Sequence, residues 1–337
     1  MNESASKPPG GAAPDSKRYA RARLGIPART GNLARKYAVV GLFLALFIAL
    51  SLSSDAFLTP TNLFNILNQN APLAIIACAG TLVIIGGGFD LSTAAIVGVV
   101  SVLSAWTAVH FNTWLAIGMA PFIGAALGTL NGVIITTLRI HSFLATLATS
   151  LVYRAIAVLV SGGFLIPVVD PSFTILGQGK IGDLYYAVFV FLAWAGLMSF
   201  LLLKTPLGRY ILAVGGNSEA ADLSGISVAR IRVTTFALSG LASGLAGLIS
   251  VSRIASGQAT AGAGLDLQSI AAVVLGGTSI MGGEGAVWRS VLGVLLLALI
   301  ANGFNILNAD PFYRDLTTGV IIVAAVALSA WDKASRR

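Results

Sequence analysis

Residues 185–203 read YYAVFVFLAWAGLMSFLLL, a run with no charged side chain, closed off by Asp183 on one side and Lys204 on the other. As a helix it would rise ~28 Å, close to the ~30 Å of a bilayer's hydrocarbon core. Comparable apolar runs recur along the chain, and they neither alternate nor form narrow stripes. Alternation would indicate a half-buried strand and a stripe a soluble amphipathic helix, so both are excluded as their general origin. The expected fold is therefore all-α: a polytopic membrane bundle of about ten transmembrane helices. Hydropathy places the spans at residues 37–53, 71–87, 93–109, 114–137, 143–161, 185–203, 233–251, 267–281, 290–304 and 316–331. The eighth segment is short, and the gap between the second and third is polar. Both suit broken or re-entrant helices.

Composition agrees. Of 337 residues only 10% are charged and mean hydropathy is +0.87, too little charge to cover a soluble surface. The net charge of +8 is concentrated at the start, where Lys7, Lys17, Arg18, Arg21, Arg23, Arg29, Arg35 and Lys36 face only Glu3 and Asp15. Next to a span, such a cluster is a topological signal with affinity for anionic headgroups, so no nucleic-acid partner is expected. Residues 1–36, rich in Gly, Ala, Pro and Ser, are expected to form a disordered basic arm on the cytoplasmic side. The membrane domain covers 37–332, and 333–337 is a tail. The first apolar run starts near Tyr37, too late for a signal peptide. The lone cysteine, Cys78, lies inside a span and reads as a small apolar residue.

Lys/Arg placement fixes orientation. With both termini cytoplasmic, seventeen lysines and arginines lie inside, and Lys180, Arg253 and Arg314 lie outside; Arg154 falls within a span. That bias also supports an even number of crossings. Small residues crowd two spans, Gly124-Ala125-Ala126-Leu127-Gly128 and the Gly240–Gly247 run, as tight helix packing in lipid requires. Val83-Ile84-Ile85-Gly86-Gly87 is echoed by Val273-Val274-Leu275-Gly276-Gly277, a weak sign of an internal repeat.

The longest polar stretch between spans, residues 204–232, lies on the cytoplasmic side. Asn217 is a good N-cap, Glu219 follows near the helix start, Ala220 and Ala221 favour helix, and Gly225 sits where a terminating glycine belongs. A capped helix of about two turns outside the bilayer is expected. It would either dock on a partner or rest on lipid.

At this loop a family resemblance emerges. Thr205, Gly208-Arg209, Gly215-Gly216-Asn217, Ala220-Ala221 and Ser224-Gly225-Ile226 resemble the coupling loop of ribose-type ABC-transporter permeases, within the group that includes branched-chain amino-acid permeases. Ala271–Ser279, Gly282-Gly283, Gly87–Ser92 and Asn131-Gly132 extend it from about Asn62 to the C-terminus. Ile140-His141-Ser142-Phe143 departs from the pattern, since related permeases often carry proline before the Phe. The resemblance implies a homodimeric permease in the bacterial inner membrane that imports a sugar or sugar-like solute. A cytoplasmic ATPase subunit would hold ATP and Mg, and an extracytoplasmic sugar-binding protein would deliver solute. Arg209, Gly215, Gly216, Asn217, Ala220, Ala221, Ser224 and Gly225 would form the ATPase-coupling surface.

For solute passage the candidates are Asn65, Gln69, Asp90, Asn131, Arg154 and Asn302. Amides suit a hydroxyl-rich neutral solute, although each can also serve as helix–helix glue. Asp90 either caps the third span or meets solute. Arg154, well inside the fifth span, requires water, an acid or carbonyls. No phosphate-binding loop is present, since Gly282-Gly283-Glu284-Gly285 lacks the lysine. No catalytic residue, metal site or cofactor is expected in this chain. The alternative, an ion-gradient-driven secondary transporter, would need titratable residues at depth, for which only Asp90 and Arg154 qualify.

Overall fold

The computed structural model describes residues 28–310 and the isolated positions 312, 313, 316, 317, 319, 320 and 323; side chains are described from Val39 onward. The expected tenth span, 316–331, falls almost wholly outside the described residues. The chain divides after Ala38. In the first unit, residues 28–38 are helical backbone, the start of α1 (Ala28–Ser53). Helix therefore begins inside the segment assigned to the arm, where Leu33-Ala34-Arg35-Lys36 are all good helix formers.

The second unit continues with α2 (Pro60–Ile85), α3 (Thr93–His110), α4 (Thr113–Leu138) and α5 (Ser142–Ser161). Next come strand β1 (Ile166–Pro167), a 3-10 turn at Pro171–Thr174, the short α6 (Ile175–Gln178), and strands β2 (Lys180–Ile181) and β3 (Leu184–Tyr185). The rest is α7 (Tyr186–Lys204), α8 (Pro206–Gly216), α9 (Ser218–Leu223), α10 (Val228–Ile254), strand β4 (Ser256–Gly257), α11 (Leu265–Leu275) and α12 (Val287–Ile306). Among the described residues seven helices, α2, α3, α4, α5, α7, α10 and α12, are long and apolar enough to cross a membrane. The chain is thus an all-α polytopic bundle.

Three boundaries differ from the sequence reading. Helix α2 starts at Pro60, held by a Thr59 N-cap and proline in its first turn, so Asn65, Asn68, Gln69 and Asn70 lie within it rather than before it. The expected span 267–281 is helical only from Leu265 to Leu275, ~16 Å of rise and too short to cross. Ahead of it, residues 255–264 form no helix but strand β4 followed by a run of turns, laid along α3. A Cβ added to Gly257, Gly98 or Gly262 would clash in turn with Ser101 and Ala105, with the Ala259 carbonyl, and with Ala94. Backbone this close to a helix cannot itself coil, and its polar groups are served locally: the Gln258 amide donates to Ser101 Oγ at 3.2 Å. Finally, the loop 204–232 holds two helices rather than one, because Pro206 starts α8 behind the Thr205 cap.

Packing follows the small residues. Helices α4 and α10 meet backbone to backbone, with Gly124 against the Gly240 carbonyl and Gly128 against that of Phe236. The larger core joins α2, α7, α10, α11 and α12 through residues such as Leu82, Trp194, Ile249, Val273 and Val294. A second core holds α3, α4 and α5 around Val99, Ala120 and Tyr153.

The internal echo has a geometric counterpart. At the end of α2, the amides of Gly86, Gly87 and Gly88 donate to Leu82, Ile84 and Val83 at 3.0, 3.0 and 2.9 Å. At the end of α11, Gly276, Gly277 and Thr278 donate to Ala272, Val274 and Val273 at 2.9, 2.8 and 3.2 Å. The pattern is the same at the same spacing, and Gly87 and Gly277 share φ of +80° and +81°. Both require glycine, since left-handed backbone is strained for other residues.

Candidate functional site

Helices α8 and α9 form a hairpin between the spans α7 and α10, and Asn217 is its corner. The Asn217 amide donates to Ala213 O at 3.0 Å, ending α8, and its side chain accepts from the Ala220 amide at 2.9 Å, starting α9. Extended backbone at φ −157° lets one residue do both. Helix α9 ends with Gly225 at φ +83° and the Ile226 amide donating back to Ala221 O at 3.0 Å. Ser224 Oγ donates to Ala220 O at 2.8 Å.

The two alanines separate. Ala221 is buried in the large core beside Ile211, Val214 and Ile231, whereas Ala220 is exposed. The outward face carries Arg209 on α8, and Glu219, Ala220, Leu223 and Ser224 on α9. Leu223 is 86% exposed, a lone apolar knob on an otherwise polar helix. Sequence reading passed over it; its signal was a leucine placed two residues before the helix-ending glycine. Gly215 points the other way, into the bundle, and Gly216 faces open space.

The six candidate passage residues do not form one cluster. Asn302 and Asn62 exchange side-chain hydrogen bonds of 2.8 and 3.2 Å. Asn65 accepts from the Tyr185 hydroxyl at 3.1 Å, and the Gln69 carbonyl accepts from Arg253 at 3.2 Å. These three sites line the first half of α2; the Asn302 and Asn65 side chains are bonded within the chain, whereas Arg253 reaches only the backbone carbonyl of Gln69, which is exposed.

Asp90 and Asn131 lie elsewhere, in a buried polar chain. Tyr153 OH donates to Asn131 Oδ1 at 2.8 Å, Asn131 Nδ2 donates to Ser92 Oγ at 2.7 Å, and Ser92 Oγ donates to Asp90 Oδ1 at 2.6 Å. Ser239 Oγ and the Ser92 amide complete the carboxylate at 2.7 and 3.0 Å. Every donor points toward Asp90, and the N-terminus of α3 lies beside it. The cap residue of α3 is Ser92, so Asp90 braces the entry to α3 rather than capping it directly. The adjoining cavity, between Ile76, Thr93, Ser239 and Ser269, has room for about one water and none for a sugar. Tyr153 and Ser239, the two partners that complete this chain, carried no sequence signal beyond being polar in a span.

Arg154 is exposed on α5, ~18 Å along the helix from Ser142. Among the described residues it has no ion-pair or hydrogen-bond partner. Its neighbours on that face, Leu147, Leu151 and Val158, are also exposed. Among the described residues no three His, Cys, Asp or Glu side chains converge as metal ligands.

The family described as "Branched-chain amino acid transport system / permease component" matches residues 62–326. The chain belongs to this family. It is a permease, a transport component of an ATP-binding-cassette importer and a multi-pass protein of the inner membrane. The permease is 37% identical over 307 residues to the ribose import permease protein RbsC of Escherichia coli strain K12, covering 87% of this chain and 93% of the relative. It is 41% identical over 296 residues to RbsC of Bacillus subtilis strain 168, covering 86% and 92%. It is 36% identical over 320 residues to the L-arabinose ABC transporter permease protein AraH of Azospirillum brasilense, covering 94% and 93%. No solved structure matches it. The kinship is to ATP-driven permeases, which favours that reading over an ion-gradient carrier.

Proposed function

We propose that this permease imports a sugar or sugar-like solute as a twofold dimer. A separate cytoplasmic ATPase, holding ATP and Mg, drives it through α9, and an extracytoplasmic sugar-binding protein feeds it. The relatives named for ribose and L-arabinose support a sugar as cargo. The observation that carries the ATPase contact is α9 itself. It is capped at both ends, anchored by Ala221, and presents Leu223 at 86% exposure beside Ala220. A surface connector gains nothing from exposing a leucine on a rigid helix. A groove on a partner does, since burying a leucine contributes about 1.5–3 kcal/mol.

Arg154 supports reading the permease as a dimer with its pathway beside α5. A guanidinium facing lipid at this depth costs about 2.5–3.5 kcal/mol on insertion scales, whereas a water-filled path between two copies removes that cost. Asn65, Gln69 and Asn302 would then meet solute only at the outer end, and Asp90 and Asn131 would act as bracing inside the bundle.

The test is co-purification of the ATPase with the full permease. Ala220→Arg and Leu223→Asp each abolish association and leave membrane insertion and detergent melting unchanged. Association at the wild-type level in both variants rejects α9 as the contact.

A further inference from the structure

Three stretches far apart in sequence meet as bare backbone where α8 ends. They are the end of α2 at Ile85, the end of α8 at Gly215-Gly216, and the turn Gly282-Gly283 that follows α11. The Gly283 amide donates to the Ile85 carbonyl at 2.8 Å, satisfying an acceptor that the end of α2 leaves open. A Cβ on Gly215 would overlap the Ile85 carbonyl oxygen and lie 2.7 Å from the Gly283 nitrogen. A Cβ on Gly282 would lie 2.7 Å from the Gly215 carbonyl oxygen, and one on Gly283 would lie 2.9 Å from Gly216 Cα. The last turn of α8 is therefore wedged between the two segments with no side chain intervening.

The two segments belong to matching parts of the chain: helices α2 and α11 stop with the same three-bond cap and the same positive φ, and α8 meets the end of the first directly at Ile85 and the turn that follows the second at Gly282-Gly283. A side chain at such a junction can absorb a displacement by changing rotamer. Backbone in contact with backbone cannot, because close-packed interiors are bistable rather than compliant. Asn217, the next residue but one after Gly215, is also the N-cap of α9, so any shift of α9 arrives at Gly215 directly.

We infer that Gly215 is a positioning residue for transport: it delivers the movement of α9 to the end of α2 and to the Gly282-Gly283 turn at once. This rests on the reading of α9 as the ATPase contact. The absence of a side chain at 215 sets how far these two segments move for each cycle of ATP hydrolysis.

The experiment uses the complete importer, permease with its ATPase and binding protein, in proteoliposomes, reading solute uptake and ATP hydrolysis together. Gly215→Ala retains the ATPase and hydrolyses ATP, but uptake per ATP falls about tenfold or more, within the usual range of coupling energies between sites. Gly118→Ala on α4, whose Cβ meets nothing within 4 Å, leaves that ratio unchanged. Equal ratios in the two variants overturn the inference. Should Gly215→Ala fail to assemble, hydrogen exchange on the wild-type importer decides. With the ATPase trapped by ATP and vanadate, peptides covering 83–88 and 273–283 change protection together; a change in only one of them, or in neither, overturns it. If instead the ATPase still binds Ala220→Arg and Leu223→Asp, the α9 reading has failed, which is a different result from equal ratios in a complex that assembles through α9.

Discussion

Tyr153 and Asn131 meet inside the bundle, the tyrosine hydroxyl donating to Asn131 Oδ1 at 2.8 Å. Because the Asn131 amide nitrogen can only donate, Ser92 Oγ accepts from it and must send its own proton on to Asp90. One amide thus sets the direction of the whole chain. Asn131→Leu breaks two buried hydrogen bonds, those to Tyr153 and Ser92, while Tyr153 keeps the Leu127 carbonyl and Ser92 keeps Asp90, and we expect a loss of about 1–3 kcal/mol. Tyr153→Phe removes only the last donor and should cost about 1 kcal/mol. Thermal melting in detergent checks both, and equal losses would contradict the directed chain.

The seam of α4 and α10 predicts a contrast between glycines on one helix. Gly128→Ala drives a Cβ into the Phe236 carbonyl and should destabilise by about 3 kcal/mol, the upper end of overpacking effects. Gly118→Ala meets nothing within 4 Å and should be neutral or stabilising by up to about 1 kcal/mol through helix propensity. Melting temperature and the monodisperse fraction on gel filtration report the difference.

Asn217→Ala removes the side-chain cap of α9. The expected cost is about 1 kcal/mol, equivalent to about fivefold faster amide exchange across residues 218–224. Asn217→Asp keeps an acceptor oxygen and should exchange as wild type. Unchanged exchange in Asn217→Ala would mean that packing of Ala221 alone holds the helix.

Outside the spans, the Thr113 hydroxyl and then the Ser172 amide hold the Asp170 carboxyl below the usual carboxylate range. A lowered folded value stabilises the ionised form. The contribution is therefore complete above the unfolded pKa of about 3.9 and disappears as pH falls through the lowered value. The stability difference between wild type and Asp170→Asn should stay flat from neutral pH to about 5 and shrink below about 4. A difference that grew on acidification would refute the assignment.

Arg154→Leu distinguishes the surroundings of α5. If the face met lipid, leucine would be tolerated or favoured and uptake would hold. Facing a path between copies, it should lower uptake about tenfold or more, a loss of ~1.4 kcal/mol or greater at the barrier. ATPase association, read by co-purification, should be unaffected.

The sequence alone determined the membrane class, the positions of the long spans and the capped helix at Asn217–Gly225, and it set an expected orientation for the loops. Each of these rests on local or one-dimensional physics: hydropathy over a bilayer's thickness, Lys/Arg bias, and caps formed within four residues of one another. What the tertiary structure decided was which polar residues share a site. Asn302 pairs with Asn62, Asp90 with Ser239, and Ile85 with Gly283, and no spacing in the chain reveals such partners. It also showed that the helix of the eighth span is cut to Leu265–Leu275 and preceded by turns, because Gly98 and Gly262 let this non-helical segment touch helix α3. Side chains and backbones in a bundle are placed by contacts between helices distant in sequence, and those contacts exist only once the chain has packed.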